Sequence, residues 1–170
     1  MKWLGASFIM IAMTWLGFVS AKRFRDRPRQ LRQLKVALQS LEAEIVYGLT
    51  PLSEACDHIA RQIAEPIATL FGQFSKELQE GEQTANCAWE KALDACWKDA
   101  ALKSSEKEVL LQFGATLGQH DRQHQQKHIR LAIAHLEREE VEAKDEQSRY
   151  EKMLKSLGLL AGLLLVILFI

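Results

Sequence analysis

The C-terminal fifty residues restrict the fold most, because they join a densely charged segment directly to an uncharged one. Residues 121–149 are crowded with Arg, Lys, Asp and Glu, whereas residues 156–170 contain none of them. No proline interrupts this stretch, and no glycine precedes Gly158 within it. The pattern therefore predicts one helix that runs from water into a membrane, against which the rest of the chain folds.

A second uncharged segment covers residues 3–21. As a helix it would be roughly 28 Å long, close to the roughly 30 Å of a bilayer's hydrocarbon core. A basic cluster follows it: Lys22, Arg23, Arg25, Arg27, Arg29, Arg32 and Lys35. Because positive flanks stay in the cytoplasm, we expect a transmembrane helix at 1–21, a cytoplasmic domain at 22–155 and a second transmembrane helix at 156–170.

Two features complicate this membrane prediction. Val19-Ser20-Ala21 resembles a signal-peptidase site, and cleavage there would give a secreted, C-terminally anchored bundle, although the basic cluster opposes export. Residues 156–170 would span only about 22 Å as a helix. Small residues spaced for close helix packing lie in both predicted spans, and these are Gly17, Ala21, Gly158 and Gly162.

The middle of the chain predicts an all-α fold, an antiparallel bundle of about six helices. Its first helix is expected to start at Pro28, to bury Leu31, Leu34, Leu38, Leu41 and Ile45, and to end at a left-handed Gly48. Further starts are expected at Thr50-Pro51, Pro66, Thr84, a Ser105–Glu108 capping box and Asp121, with stops at Gly81 and Gly118. The last helix is expected to pair with the first and to become a solvated stalk after Leu136.

Little in the sequence indicates catalysis. His120, His124 and His128 share one helical face, so a metal-dependent enzyme or sensor is an alternative, although no further ligands complete a site. The three cysteines lack CxxC spacing, which favours buried thiols in a reducing compartment. No nucleotide-binding or hydrolase motif is present, and the zero net charge gives no general attraction to nucleic acid. We expect no enzyme activity and no cofactor.

The junction of the first two predicted helices concentrates unusual residues without catalytic geometry: Glu42, Glu44, Tyr47, Gly48, Thr50, Pro51 and Leu52. Gly48 and Pro51 could simply shape a corner. The functional alternative is a docking surface, in which the two glutamates present charge and Tyr47 an aromatic anchor.

These motifs, in this order and between two apolar ends, resemble the family of stage III sporulation protein AB. The resemblance rests on RPRQLRQL at 27–34, EAEIVYGLTPL at 42–52, LGQHD at 117–121 and SLGLLAG at 156–162. It implies a structural component of the channel complex between mother cell and forespore, working with other stage III sporulation channel proteins.

The family is in turn similar to the platform proteins of type II secretion and type IV pilus systems, whose cytoplasmic domain is a six-helix bundle. Platform proteins usually carry two such domains, so a chain with one would have to form a homo-oligomer. The expected motor partner is the secretion-type ATPase, stage III sporulation protein AA.

Overall fold

The structure is a computed structural model that describes the backbone of residues 2–48, 50–81, 83–118 and 122–169, and side chains at 22–48, 50–81, 83–118, 123–153 and 156. The described backbone forms six α-helices and one π-helical turn. They are α1 (Lys2–Ala43), the π-helical turn (Glu44–Gly48), α2 (Leu52–Gln62), α3 (Ile67–Glu80), α4 (Ala85–Trp97), α5 (Ser104–Gly114) and α6 (Arg122–Phe169). The all-α prediction is thus confirmed for the described residues.

The six helices pack as a closed ring in chain order, because each contacts the next and α6 returns to α1. The α1–α6 pair has the most extensive contact among the described elements, as predicted. Its partners run in opposite directions, since Phe24 stacks on Tyr150 at one end and Glu42 meets Arg130 at the other. The two long helices are therefore antiparallel.

The apolar stripes predicted from helical spacing form the core. Leu31, Leu34, Leu38 and Leu41 of α1 are fully buried. They face the buried apolar residues of α6, which are Ile129, Ala132, Leu136 and Ala143. Ala143 is buried well beyond Leu136, so the prediction of a solvated stalk from that point is wrong. The stripe looked thin because charged residues continue it, as described below.

Trp89 of α4 is the centre of the remaining core. Three phenylalanine rings meet its indole edge-on, and these are Phe71, Phe74 and Phe113 at centroid distances of 5.8, 5.0 and 5.3 Å. The indole Nε1 donates a hydrogen bond to the Leu110 carbonyl oxygen at 2.8 Å. A Cβ on Gly114 would overlap the same ring, so glycine lets α5 approach α4 closely. Such edge-to-face contacts add to the burial of large rings.

The predicted helix start at Pro28 is wrong, because Pro28 lies inside a continuous α1. A proline in a helix interior removes one hydrogen bond and crowds the preceding turn. Here the residues on both sides are held by tertiary contacts, since Arg27 and Leu31 are buried. Packing against other helices therefore outweighs the local preference.

The predicted helix ends at Gly81 and Thr84 match, whereas the box at the start of α5 and its stop at Gly118 do not, since α5 ends at Gly114. Gly81 ends α3 in the left-handed conformation, and the Thr84 hydroxyl caps α4 by accepting from the Cys87 amide. The expected Ser105–Glu108 capping box is wrong: α5 begins at Ser104, and the Glu106 carboxylate accepts from the Lys103 amide. The box is displaced because Glu106 also faces Arg27 in the interior.

The predicted membrane spans form the outer ends of the two long helices. No helix within the described residues is both long and apolar enough to cross a membrane. Residues 2–21 and 156–169 belong to the backbones of α1 and α6, but apart from Ser156 the side chains of the two predicted spans lie outside the described residues. The transmembrane helices therefore stay a prediction.

Candidate functional site

The predicted corner between the first two helices is held together by a hydrogen bond between its two sides. After α1, the chain makes one π-helical turn over Glu44–Gly48 and then enters α2 at Leu52. The Thr50 hydroxyl donates a hydrogen bond to Oε2 of Glu44 at 2.8 Å. This bond joins the two sides of the corner. Glu44 is therefore partly exposed, but its carboxylate already has a hydrogen-bond partner in the chain.

Gly48 is required by the space around it rather than by its backbone angle. It has no left-handed φ, so the predicted left-handed helix end at this position is wrong. A Cβ there would lie 2.6 Å from Glu44 Oε2 and 2.9 Å from Thr50 Oγ1. Any larger residue would therefore displace the Glu44–Thr50 bond.

The predicted start of α2 is displaced by one position. Thr50 does not cap the helix, and Pro51 is the N-cap residue, whose carbonyl oxygen accepts from the Ala55 amide at 3.0 Å. The Thr50 hydroxyl is already committed to Glu44. Leu52 is half-buried against the core, which fixes α2 behind the corner.

Tyr47 is the most exposed of the large hydrophobic side chains that the structure describes, at 82%. Pro51 beside it in the corner is also exposed. The ring of Tyr47 has no hydrogen bond or ring contact among the described residues, although its backbone belongs to the π-helical turn. An aromatic side chain held out from a fixed turn is the type of group that anchors protein interfaces.

Glu42 does not present its charge outward as expected. Its Oε1 accepts hydrogen bonds from Arg130 Nε at 2.7 Å and from Gln126 Nε2 at 2.9 Å. Burial opposes its ionisation, but these two bonds outweigh burial and hold the pKa of Glu42 below its usual range. Glu42 therefore ties α1 to α6 beneath the corner.

The other predicted site residues are the small residues of the two apolar segments. Gly17, Ala21, Gly158 and Gly162 lie on the helical backbones of α1 and α6, but their side chains are outside the described residues. Their role in helix packing stays a prediction.

The three histidines are not brought into a metal site by anything that the structure describes. His124 and His128 lie on α6, whereas His120 is outside the described residues. Among the described residues no group of three His, Cys, Asp or Glu side chains could hold a metal ion.

Two of the three cysteines are buried as predicted, and Cys87 is exposed. Burial raises the pKa of the Cys56 thiol to about 12. Burial, together with the nearby charges of Glu65 and Asp99, raises that of Cys96 to about 11. Both thiols therefore stay protonated near neutral pH and are unsuited to act as nucleophiles.

The main electrostatic feature of the structure was not predicted from the sequence. It is a buried cluster of charged side chains around Arg27, which is only 3% exposed. Its guanidinium donates to Glu106 at 2.8 Å, to Glu146 at 2.7 Å and to Glu139 at 2.8 Å. Burial raises the pKa of Glu106, and the bonds from Lys103 and Arg27 offset this only in part. Glu146 also accepts from Lys103, and that bond holds its pKa below the usual range.

A second group of charges continues the same contact between α1 and α6. Lys35 reaches Glu140 at 3.1 Å and Glu137 at 3.3 Å, and Arg32 reaches Glu140 at 3.3 Å. Burial opposes ionisation of Glu140, but hydrogen bonds from Lys144, Lys35 and Arg32 lower its pKa to about 2. We call the α1–α6 contact, with these charges and the Arg27 cluster, the seam.

A signal for the seam was present in the helical spacing. Arg27 lies one turn before Leu31 on the same face of α1, so the apolar stripe extended backwards arrives at Arg27. Glu139 and Glu146 similarly lie close to the α6 face that carries Leu136 and Ala143. A charge at a stripe position predicts a buried ion pair, but the sequence does not say which partner it meets.

Comparison with known proteins decides the family. The family described as stage III sporulation protein AB matches residues 2–170. Stage III sporulation protein AB of Bacillus subtilis (strain 168) is 57% identical over 168 residues, which cover 99% of this chain and 98% of the relative. The chain belongs to the stage III sporulation protein AB family.

A solved structure of a family member agrees with the fold. It is described as stage III sporulation protein AB (SpoIIIAB), is 56% identical and superposes with a TM-score of 0.70. The match covers 73% of this chain and 98% of the solved one. The resemblance found in the four sequence motifs is thus confirmed, and the chain belongs to a sporulation protein family rather than to a known enzyme family.

Proposed function

We propose that this protein is a non-enzymatic, membrane-anchored component of the sporulation channel complex, and that its bundle docks a secretion-type ATPase at the mother-cell membrane. The expected ATPase is stage III sporulation protein AA. Other stage III sporulation channel proteins and further copies of this chain would complete the assembly. Membership in a sporulation protein family supports the setting, and the arrangement of the two long helices supports the role.

The observation that carries the proposal is the antiparallel pairing of α1 and α6. Phe24 stacks on Tyr150 with 4.7 Å between ring centroids, so the start of the bundle in α1 meets the late part of α6. The uncharged segments 3–21 and 156–170 continue these two helices from the same end of the bundle. A hairpin of two anchors would leave the bundle on one side of the membrane.

The corner lies at the opposite end. About 25 residues of helix separate Lys22 from Tyr47, which corresponds to roughly 38 Å at 1.5 Å per residue. A partner that docks at Tyr47 would therefore be held away from the membrane surface. The Glu44–Thr50 bond and the close fit of Gly48 stabilise the turn that presents Tyr47, which reduces the entropy lost on binding.

The test is co-purification of the full chain, in detergent micelles, with stage III sporulation protein AA. Tyr47→Ala should lower the affinity for the ATPase at least tenfold, because loss of a central aromatic anchor commonly costs about 2 kcal/mol of binding free energy. Glu44→Gln, which keeps the size of the side chain, should have a smaller effect. Val141→Ala removes a 57% exposed apolar residue elsewhere and is the matched control.

Two results would count against the proposal. Equal ATPase binding by wild type and Tyr47→Ala would remove the corner from the interface. No binding by wild type at micromolar concentration, with the chain folded and its oligomeric state measured by mass photometry, would remove the ATPase as a direct partner.

A further inference from the structure

A cleft of about 380 Å³ opens beside residues 23–27 of α1, where this helix faces the connection between α4 and α5. Its lining includes Arg23 and Phe24 from α1, and Trp97, Lys98 and Lys103 from the other side. The lining therefore combines four cationic groups and one carboxylate, that of Glu146, with two aromatic rings.

Two of the cations in this cleft are not neutralised. Lys103 already binds Glu146 at 2.7 Å, and the buried Arg27 is engaged by three carboxylates. Arg23 and Lys98 are exposed, and the side chain of neither has an ion pair or hydrogen bond among the residues that the structure describes. The cleft thus offers two free positive charges.

The position of the cleft matches the depth of lipid headgroups. The uncharged segment ends at Ala21, and Arg23 and Arg27 come two and six residues later. They therefore lie roughly 3 and 9 Å along the helix axis from the end of that segment. The headgroup region extends roughly 5 to 8 Å beyond the hydrocarbon core on each side. Trp97 is half-buried at this level, and tryptophan is enriched at that depth in membrane proteins.

We propose that this cleft binds the phosphate of an anionic membrane lipid between Arg23 and Lys98, with Trp97 and Phe24 against the glycerol and upper acyl carbons. The inference rests on the membrane anchoring in the proposed function and adds a defined lipid site to it. A neighbouring cleft shows the contrast, because Asp26, Glu65 and Asp99 there balance Lys22 and Arg29.

Native mass spectrometry of the full chain in detergent micelles tests the site, with added phosphatidylglycerol or phosphatidylcholine as the probe. Wild type should retain phosphatidylglycerol in preference to phosphatidylcholine. The double variant Arg23→Gln/Lys98→Gln should bind phosphatidylglycerol roughly tenfold more weakly, because each cation near anionic lipid contributes several-fold. The matched control Lys76→Gln/Arg138→Gln removes two exposed cations elsewhere and should bind as wild type does.

The outcomes separate the site from the anchoring. Equal loss of phosphatidylglycerol binding in the two double variants, or no loss in either, would overturn the assignment of the cleft as the lipid site. The membrane anchoring would be unaffected by that result. Displacement of phosphatidylglycerol by millimolar inorganic phosphate would assign the cleft to a free anion and overturn the lipid proposal. Extraction of wild type from vesicles by alkaline carbonate would overturn the anchoring itself, and the lipid site with it.

Discussion

The two sides of the bundle are held together by different interactions. Around Trp89, helices α3, α4 and α5 meet through edge-to-face rings and one indole hydrogen bond. Along the seam, the leucines of α1 are preceded by Arg27, whose carboxylate partners are 79 to 119 residues away in sequence. The aromatic side is insensitive to protonation, whereas the seam can be titrated. The difference provides a way to test each side separately.

The largest effect is expected from Trp89→Ala. The variant removes a fully buried indole, leaves a cavity among three phenylalanines and loses the bond to the Leu110 carbonyl. Such truncations cost about 3–5 kcal/mol. Denaturant titration of the full chain in detergent micelles, followed by circular dichroism, should show this loss unchanged between pH 5 and pH 7.5. A loss under 1 kcal/mol would mean that Trp89 is not the centre of this core.

Arg27→Met is expected to cost a similar amount at pH 7.5 but much less at pH 5. Removing the guanidinium leaves Glu106 buried beside Glu139 and Glu146, and breaking a buried ion cluster typically costs about 3–5 kcal/mol. The pKa of Glu106, already raised by burial, should rise further in the variant. A raised carboxyl pKa gives stability that is present at low pH and lost as pH rises. The same titration at the two pH values measures the difference.

Arg27→Lys is the control for this prediction. Lysine keeps the charge but cannot reach three carboxylates with a planar fork of donors, so an intermediate loss is expected. If Arg27→Met costs the same at pH 5 and pH 7.5, the cluster contributes through packing alone, and the contrast between the two sides fails.

The two sides also differ in how far sequence reasoning predicts them. The core face of α1 and the start of α4 at Thr84 follow from helical spacing and capping chemistry, which act over a few residues. The continuous helix through Pro28 does not, because tertiary contacts of its neighbours override the local rule.

The corner shows the same division. A distinctive element at residues 42–52 could be predicted, since glycine, proline and charge cluster there. The Glu44–Thr50 bond and the pairing of Glu42 with Arg130 could not, because each depends on a three-dimensional approach that spacing does not encode. The exposure of Tyr47 is likewise a property of the π-helical turn rather than of the residue.

Glu140→Gln should sharpen the comparison within the seam. Its folded pKa of about 2 lies below the ordinary value of 4.5, so its contribution is present above about pH 4.5 and is lost as pH falls towards 2. We expect a cost of about 1–2 kcal/mol at pH 7, since two of its three cationic partners are well exposed. Glu137→Gln is the matched control, because Glu137 contacts the same Lys35 but is 64% exposed, and should change stability by less than about 0.5 kcal/mol. Equal effects of the two variants in denaturant titration would contradict the assignment.

Glu106→Gln should cost much less than Arg27→Met, although Glu106 is fully buried. The single amide oxygen of glutamine can accept from only one of the two donors that Glu106 serves, the Lys103 backbone and Arg27, whereas Arg27 keeps Glu139 and Glu146 as charged partners. Burial raises the pKa of Glu106, so the wild-type protein loses folding stability as pH rises through that pKa. The neutral amide of the variant makes no such pH-dependent contribution. The lost acceptor costs stability and the removal of a buried charge offsets part of that cost, so we expect a net loss of about 1 kcal/mol at pH 7 and a flatter dependence of stability on pH.

A large loss in Glu106→Gln would contradict this expectation and change the account of the seam. A cost near that of Arg27→Met would mean that the Arg27–Glu106 pair acts as a unit, with Glu139 and Glu146 as secondary partners. The double variant Arg27→Met/Glu106→Gln distinguishes the two cases, because coupled partners cost less together than the sum of their separate losses. If the two losses simply add, Arg27 is held mainly by Glu139 and Glu146 of α6. The seam then depends on the pairing of the two long helices alone.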